Sequence, residues 1–207
     1  MIFADRREAG RKLGAALGER PGALVLGIPR GGVVVAAEAA PSVRGTLDVV
    51  VPRKLGAPGN PELGIGAVAP DGTTVLDDRL VAALAVTGDY IANEVTRQVD
   101  EIRRREELYR SGRPALDVTG RDCIVVDDGI ATGGTAQVAL RSLTRRGARS
   151  VVLAIPVAPT SSLERLRSEA DEVVCLETPE PFAAVGQWYG YFPQVSDDEV
   201  LEALRLK

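Results

Sequence analysis

The sequence contains no histidine. That absence removes Ser-His and Cys-His nucleophile pairs, imidazole bases and histidine metal ligands together. Cysteine is scarce as well: Cys123 and Cys175 each stand in an apolar, strand-like run and read as buried thiols rather than a disulfide or a reactive site. Lysine occurs only at positions 12, 54 and 207, so nearly all positive charge is arginine. Aromatic residues make up 4% of the chain, and most of them fall between Phe182 and Phe192. No apolar run reaches the length of a bilayer span, and no leader or lipidation motif is visible. The expectation is a cytoplasmic protein with no membrane partner. The net charge of -4, with both signs interspersed, offers no basic footprint for nucleic acid.

What is present suits a globular chain. An apolar content of 45% and a charged content of 26% over 207 residues support one sizeable core rather than disorder. We expect a single domain over 1–207, with a core at about 20–177 and a hood and tail at about 178–207. There is no internal repeat.

Hydrophobic spacing predicts an amphipathic helix over 4–18, closed by Gly18, and a short strand over 23–28. The strand runs into Pro29-Arg30-Gly31-Gly32 and a helix through Val33–Ala37. A third strand, 46–51, ends in Pro52-Arg53-Lys54. Residues 55–72, rich in Gly and Pro, exclude a helix and predict a flexible loop with a ragged hairpin, 64–69 pairing with 73–76 across Asp71-Gly72. A long helix is predicted over 88–110, and its run Arg103–Glu107 reads as a solvated, self-paired face. Apolar strands follow at 149–156 and 171–177. Ser161 and Glu164 have capping-box spacing, and Ser196 to Glu199 caps a last helix, 197–206. Asp48 and Glu62 read as ordinary surface or turn residues. Strands alternating with helices give the fold class: α/β, with a doubly wound, mostly parallel sheet.

The most informative stretch is Ile124-Val125-Val126-Asp127-Asp128-Gly129-Ile130-Ala131-Thr132-Gly133-Gly134-Thr135. Apolar β-branched residues end in two carboxylates where a strand stops, the place at which open α/β sheets bind ligands. A glycine-rich turn and the start of a helix follow, with hydroxyls at Thr132 and Thr135. Backbone N–H groups and the helix dipole at such a turn favour an anion. Carboxylates beside an anion cradle suit a polyol that carries a phosphate. A Walker B reading needs a G-x-x-x-x-G-K-[ST] loop, which is absent. A receiver-like acidic pocket would place its acidic pair early in the chain. Gly27-Ile28-Pro29-Arg30-Gly31 has the wrong spacing for a dinucleotide fingerprint.

The stretch 124–135 resembles the phosphoribosyl-pyrophosphate (PRPP) signature of type I phosphoribosyltransferases. The resemblance continues in Pro29-Arg30-Gly31-Gly32, similar to that family's pyrophosphate loop, in 55–72, at the place of its flexible catalytic loop, and in 178–195, at the place of its hood. It implies a type I phosphoribosyltransferase-like, Rossmann-like core with a small hood built from the C- and N-terminal parts. It also implies Mg²⁺-dependent transfer of the 5-phosphoribosyl group from PRPP to a nitrogen acceptor, a nucleobase or related heterocycle, with release of pyrophosphate. That places the chain in nucleotide metabolism and base salvage.

By the same resemblance the catalytic residues are Asp127, Asp128 and Arg30, the two aspartates contacting the ribose 2- and 3-hydroxyls. Ala131, Thr132, Gly133, Gly134 and Thr135 hold the 5-phosphate. Arg30 and Gly31, through a non-proline cis peptide, bind pyrophosphate, with Arg53 and Lys54 helping to neutralise it; for these last two a solvated strand end is the plain alternative. Mg²⁺ is held mainly by PRPP oxygens, assisted at most by Asp127 and Asp128. Phe182, Trp188 and Tyr189 are acceptor-side candidates, either stacking on a base or packing beneath the hood. Family members are often dimers, so a homodimer using the 88–110 helix is implied. One departure stands inside the signature. Several purine-specific members have an Asp three positions after the acidic pair, and here that position is Ala131. Purine salvage is weakened by it. A PRPP- or nucleotide-binding regulator with little or no turnover stays open, as, more distantly, does hydrolysis or phosphorolysis of a ribosyl phosphate.

Overall fold

The computed structural model describes residues 2–205. Five parallel strands form the centre: β1 (Leu24–Gly27), β2 (Thr46–Val49), β6 (Asp122–Val126), β7 (Ser150–Val157) and β8 (Glu172–Glu177). Their order across the sheet is β2-β1-β6-β7-β8. Alternate residues of these strands face two cores. Leu24, Leu26, Val125, Leu153 and Ile155 pack on α5 (Gly134–Arg145) and α6 (Thr160–Leu166). Val25, Ile124, Val126, Val152 and Ala154 pack on α1 (Arg6–Leu17) and α2 (Gly31–Val43). Burial on both faces is why the strands read as unbroken apolar runs. This is the doubly wound sheet that the sequence predicts. Cys123 is buried and Cys175 partly so, and both are free thiols.

A second, antiparallel sheet is built from β3 (Arg53–Ala57), β4 (Asn60–Val68) and β5 (Thr74–Leu76). It corrects two expectations. The predicted strand 46–51 stops at Val49, because Pro52 has no N–H with which to extend a ladder. Arg53 and Lys54 therefore open a new strand instead of closing an old one. The predicted loop 55–72 is mostly strand. Gly66, Ala67 and Val68 do pair with Leu76, Val75 and Thr74, while β3 and β4 pair with irregularities around Gly56. The sheet is held because Leu55, Ile65 and Val68 bury against Ile102 of α4 (Gly88–Arg110). Polar ties run alongside: the Tyr90 hydroxyl donates to Gly56 O at 3.0 Å, and Arg53 Nε donates to Gln98 Oε1 at 3.0 Å. A short helix, α3 (Asp78–Ala83), connects β5 to α4, where the sequence pattern announces none.

At the termini, Ile2 and Phe3 N–H donate to Trp188 O, and Gly190 and Tyr191 N–H donate to Phe3 O and Ala4 O. The N-terminal segment and the tail thus form the hood together. The last helix, α7 (Asp197–Arg205), opens with the expected reciprocal cap: Ser196 N–H donates to Glu199 Oε2 at 2.8 Å and Glu199 N–H to Ser196 Oγ at 3.2 Å. Position 206 lies outside the described residues. The Ser161–Glu164 capping box does not form; α6 starts behind Pro159 with no side-chain cap. Among the described residues no helix is long and apolar enough to cross a membrane.

Asp48 is not a surface residue. It is buried and accepts from Arg110 Nε at 3.1 Å and from Leu116 N–H at 3.3 Å, while Arg110 also donates to Val49 O and pairs with Glu106. This pair pins the end of α4 to the edge strand of the main sheet. Removing one partner of a buried pair leaves an uncompensated charge. Arg110→Ala should lower unfolding free energy by about 3–5 kcal/mol in urea titrations, and the double change Asp48→Leu with Arg110→Met should recover most of it. A loss below about 1 kcal/mol for the single change would mark the pair as a dispensable surface contact.

Candidate active site

The chain direction across the main sheet reverses between β1 and β6: β2 lies to one side, β7 and β8 to the other. Clefts at such a switch point are where open α/β sheets receive ligands. The two glycine turns that the sequence singles out both emerge there. Ile28 N–H donates to Val126 O at 2.8 Å, so the turn after β1 is tied to the end of β6. The Pro29–Arg30 peptide is cis, as the resemblance implies.

Asp127 and Asp128 follow β6 directly. Asp128 N–H donates to Asp127 Oδ1 at 2.9 Å. A Cβ on Gly31 would lie 1.8 Å from Asp128 Oδ2, so only glycine lets the first turn approach the acidic pair. The structure therefore brings Gly31 against Asp128 and Gly32 against Asp127. Arg30, half-buried, stands at the N-cap of α2, and among the described residues its guanidinium makes no hydrogen bond. Burial and the neighbouring charge of Asp128 push the Asp127 carboxyl well above the usual carboxylate range. Burial also raises Asp128, and Arg6 opposes the rise.

Arg6 is the residue that sequence reasoning missed. Its Nε donates to Asp128 Oδ2 at 2.7 Å, its Nη1 donates to Pro193 O at 2.8 Å, and its guanidinium lies 3.6 Å over the Phe192 ring. Nothing local to position 6 announces a partner 122 residues away.

The loop from Ala131 to Thr135 leads into α5. Gly133 caps the helix with φ at 82°, a conformation that suits glycine. The first helical hydrogen bond runs from Gln137 N–H to Gly133 O, so the N–H groups of Gly134 and Thr135 precede it and are free to meet an anion. α6 braces the loop from behind: Ser162 Oγ donates to Ala131 O at 2.6 Å and Arg165 Nη2 to Thr132 O at 3.1 Å. The hydroxyl at 162, not the one at 161, is the working one, and it serves the loop rather than its own helix.

Arg53 and Lys54 do not act together. They project from opposite faces of β3, as neighbours on a strand must. Lys54 lines a cleft of about 660 Å³ with Thr132–Thr135, Arg165 and Glu169, and its Nζ donates to Glu62 O at 2.7 Å. Arg53 turns to Gln98 of α4, where burial and the charge of Arg105 lower its pKa. Lys54 thus joins the loop 131–135 rather than the Arg30–Gly31 turn.

Of the aromatic candidates, Tyr189 is buried. It stacks on Phe192 at 4.7 Å between ring centroids, and its hydroxyl donates to Asp128 O at 2.5 Å. Burial and the Asp128 charge raise its phenol. It is a support for the acidic turn and not an open platform. Phe182 and Trp188 are half-buried against each other, with centroids 6.0 Å apart. Val185 closes over Gly129, its Cγ1 lying 2.5 Å from where a Cβ would be. Ala131 is exposed and brings no carboxylate.

Three comparisons bear on this arrangement. Residues 16–189 match the family model described as a phosphoribosyl transferase domain. A Mycobacterium tuberculosis (strain H37Rv) protein with the provisional name phosphoribosyl transferase is 47% identical over 205 residues. The match takes in 98% of this chain and 46% of the relative, so the chain spans about half the length of the curated relatives it matches. A Thermus thermophilus protein of known structure superposes with a TM-score of 0.82 at 46% identity, covering 99% of this chain and 98% of that one. A hypothetical Neisseria gonorrhoeae protein, solved with bound ppGpp, shares the fold at a TM-score of 0.51 and 13% identity over 99% of this chain and 96% of its own.

The raised carboxyl of Asp127 has a consequence for stability. An acid whose pKa is higher in the folded state stabilises below its unfolded value, near pH 3.9, and that contribution is lost as pH rises through the folded value. Above it, the protein carries a half-buried, poorly solvated charge that Asn would remove. Asp127→Asn should melt with wild type at about pH 4 and gain a few °C over it, on the order of 2–4 °C, in alkaline buffer. An equal gain at both pH values would refute the assignment.

Proposed function

The chain belongs to the phosphoribosyl transferase family, and on that footing we propose that it transfers the 5-phosphoribosyl group of PRPP to a nitrogen acceptor with release of pyrophosphate. The observation that carries this reading is the meeting of two glycine turns on one acidic pair at the sheet's switch point. One turn leads to a helix start with unpaired N–H groups, the other to an arginine with no hydrogen-bond partner among the described residues. The spacing suits a sugar held at both ends by phosphates and in the middle by its hydroxyls.

In this reading Thr132–Thr135, with Lys54 beside them, hold the 5-phosphate. Asp127 and Asp128 hold the ribose hydroxyls. Arg30 and the Gly31 N–H hold the pyrophosphate and stabilise it as the C1–oxygen bond breaks. Positive charge then develops on the sugar, and the acidic pair beneath it supplies a favourable field. The β3–β4 hairpin and the hood flank the cleft and would exclude water from that centre. Ala131 and the absence of histidine leave no side-chain base beside the acceptor. An acceptor nitrogen that already carries an available lone pair fits best.

Among the described residues no group of three or more carboxylates, cysteines or histidines gathers. Asp128 is already paired with Arg6. This donor set suits Mg²⁺ held mainly by the diphosphate and ribose oxygens, with Asp127 the nearest protein carboxylate. When bound, the ion would neutralise the diphosphate leaving group. The same Ala131 favours a second reading, a PRPP- or nucleotide-binding regulator with little turnover.

Titration calorimetry with PRPP and Mg²⁺ should show binding, and a pyrophosphate-release screen over bases should show turnover. Asp128→Asn and Gly133→Val should each weaken PRPP binding by about ten-fold or more, ~1.4 kcal/mol, while circular dichroism stays native. No PRPP binding by the wild type would sink the proposal. Binding without pyrophosphate release on any base would favour the regulator.

A further inference from the structure

Arg6 comes from α1, on the side of the molecule formed by the hood, yet its head group ends at the ribose side of the cleft. That head group makes three contacts there. Nε holds Asp128, Nη1 holds the Pro193 carbonyl, and the planar face covers Phe192. A Cβ on Gly31 would meet Arg6 Nε at 2.8 Å as well as Asp128 Oδ2, so the pyrophosphate-side turn is shaped around this ion pair. Tyr189, next to Phe192, bonds the Asp128 carbonyl from the same side. The acidic turn is thus gripped by a helix and by the tail at once.

We propose that Arg6 is a positioning residue for the acidic pair: it fixes the Asp128 carboxylate toward the cleft and ties that orientation to the seating of residues 189–193. The inference rests on the reading of Asp127 and Asp128 as the ribose-binding pair. Lysine is no substitute, because one ammonium cannot make the forked contacts and the ring stack together. The groups facing Asp128 are Arg6 from α1, Asp127 from its own turn and the Tyr189 phenol from the tail; Glu199 of α7 acts on Arg6 from its outer side. Arg6 is the one cation in that set. Without it, the Asp128 carboxylate loses the contact that fixes its orientation, and the Phe192–Pro193 segment loses its tie to the acidic turn.

The experiment compares wild type, Arg6→Gln and Arg6→Lys by titration calorimetry at one pH with two probes, PRPP with Mg²⁺ and inorganic pyrophosphate with Mg²⁺. Arg6→Gln should bind PRPP about ten-fold or more weakly, while pyrophosphate, which has no ribose to meet the acidic pair, binds as in wild type. Arg6→Lys should fall between the two, since it keeps the charge and loses the fork. An equal loss for both probes would reduce Arg6 to packing and overturn the proposal, as would unchanged PRPP binding. A crystal structure of Arg6→Gln without ligand gives an independent readout. The Asp128 carboxylate should leave its wild-type orientation, and an unchanged orientation overturns the proposal even if PRPP binds. Failure of the wild type to bind PRPP, with Asp128 displaced in Arg6→Gln, would instead remove the ribose reading and leave the hold of Arg6 on Asp128 intact. If Arg6→Gln does not fold, Arg6→Lys and Phe192→Leu carry both measurements, each expected to show a smaller effect in the same direction.

Discussion

Asp127 and Asp128 stand side by side, half-buried, at the end of β6. Burial pushes both carboxyls upward, and the charge of Asp128 adds to the rise at Asp127. The surrounding structure compensates from several directions. Arg6 supplies a cation, Asp128 N–H supplies a donor to Asp127, and Tyr189 braces the backbone of the acidic turn. Gly31 brings no side chain, and so leaves the space that the Arg6–Asp128 contact fills. A site that holds such a pair is less stable than an apolar strand end would be. On the proposed function, that cost is offset when the same carboxylates meet a sugar's hydroxyls.

Around this pair the fold is arranged in two shells. The parallel sheet, buried on both faces, sets the strand ends of β1 and β6 side by side and so sets the distance between the two turns. The smaller sheet and α4 form the wall. Arg53 and Gln98, Tyr90 and Gly56, and Asp48 and Arg110 join that wall to itself and to the main sheet. The hairpin that flanks the loop 131–135 is therefore backed by a 23-residue helix. Any movement over the cleft has to carry these bonds or break them.

Much of this is legible in the chain because it is local. The run from Ile124 to Thr135 contains its own strand, its acidic pair and its cradle, so its spacing alone implies what the structure builds. The two-faced burial of the central strands shows in their unbroken Val, Ile and Leu. The rest is hidden by distance along the chain. Position 6 shows an arginine after a helix cap, and nothing there names Asp128. Asp48 looks like any strand-edge carboxylate until Arg110 folds over it. Ser162 has a neighbour, Ser161, with better capping spacing, and only the packing of α6 on the loop 131–135 decides between them. Residues 55–72 mislead for a related reason: glycine and proline mark turns, but the apolar contacts of Leu55 and Ile65 with α4 make strands of the segments between.

The proposed function requires one ligand to be held at both ends across a single acidic pair. A crystal structure of the protein with PRPP and Mg²⁺ tests it most directly. The expected density places the 5-phosphate on the N–H groups of Thr132–Thr135, the ribose hydroxyls on Asp127 and Asp128, and the pyrophosphate on Arg30 and Gly31. PRPP bound elsewhere, or bound here with its ribose turned away from the two aspartates, would contradict it.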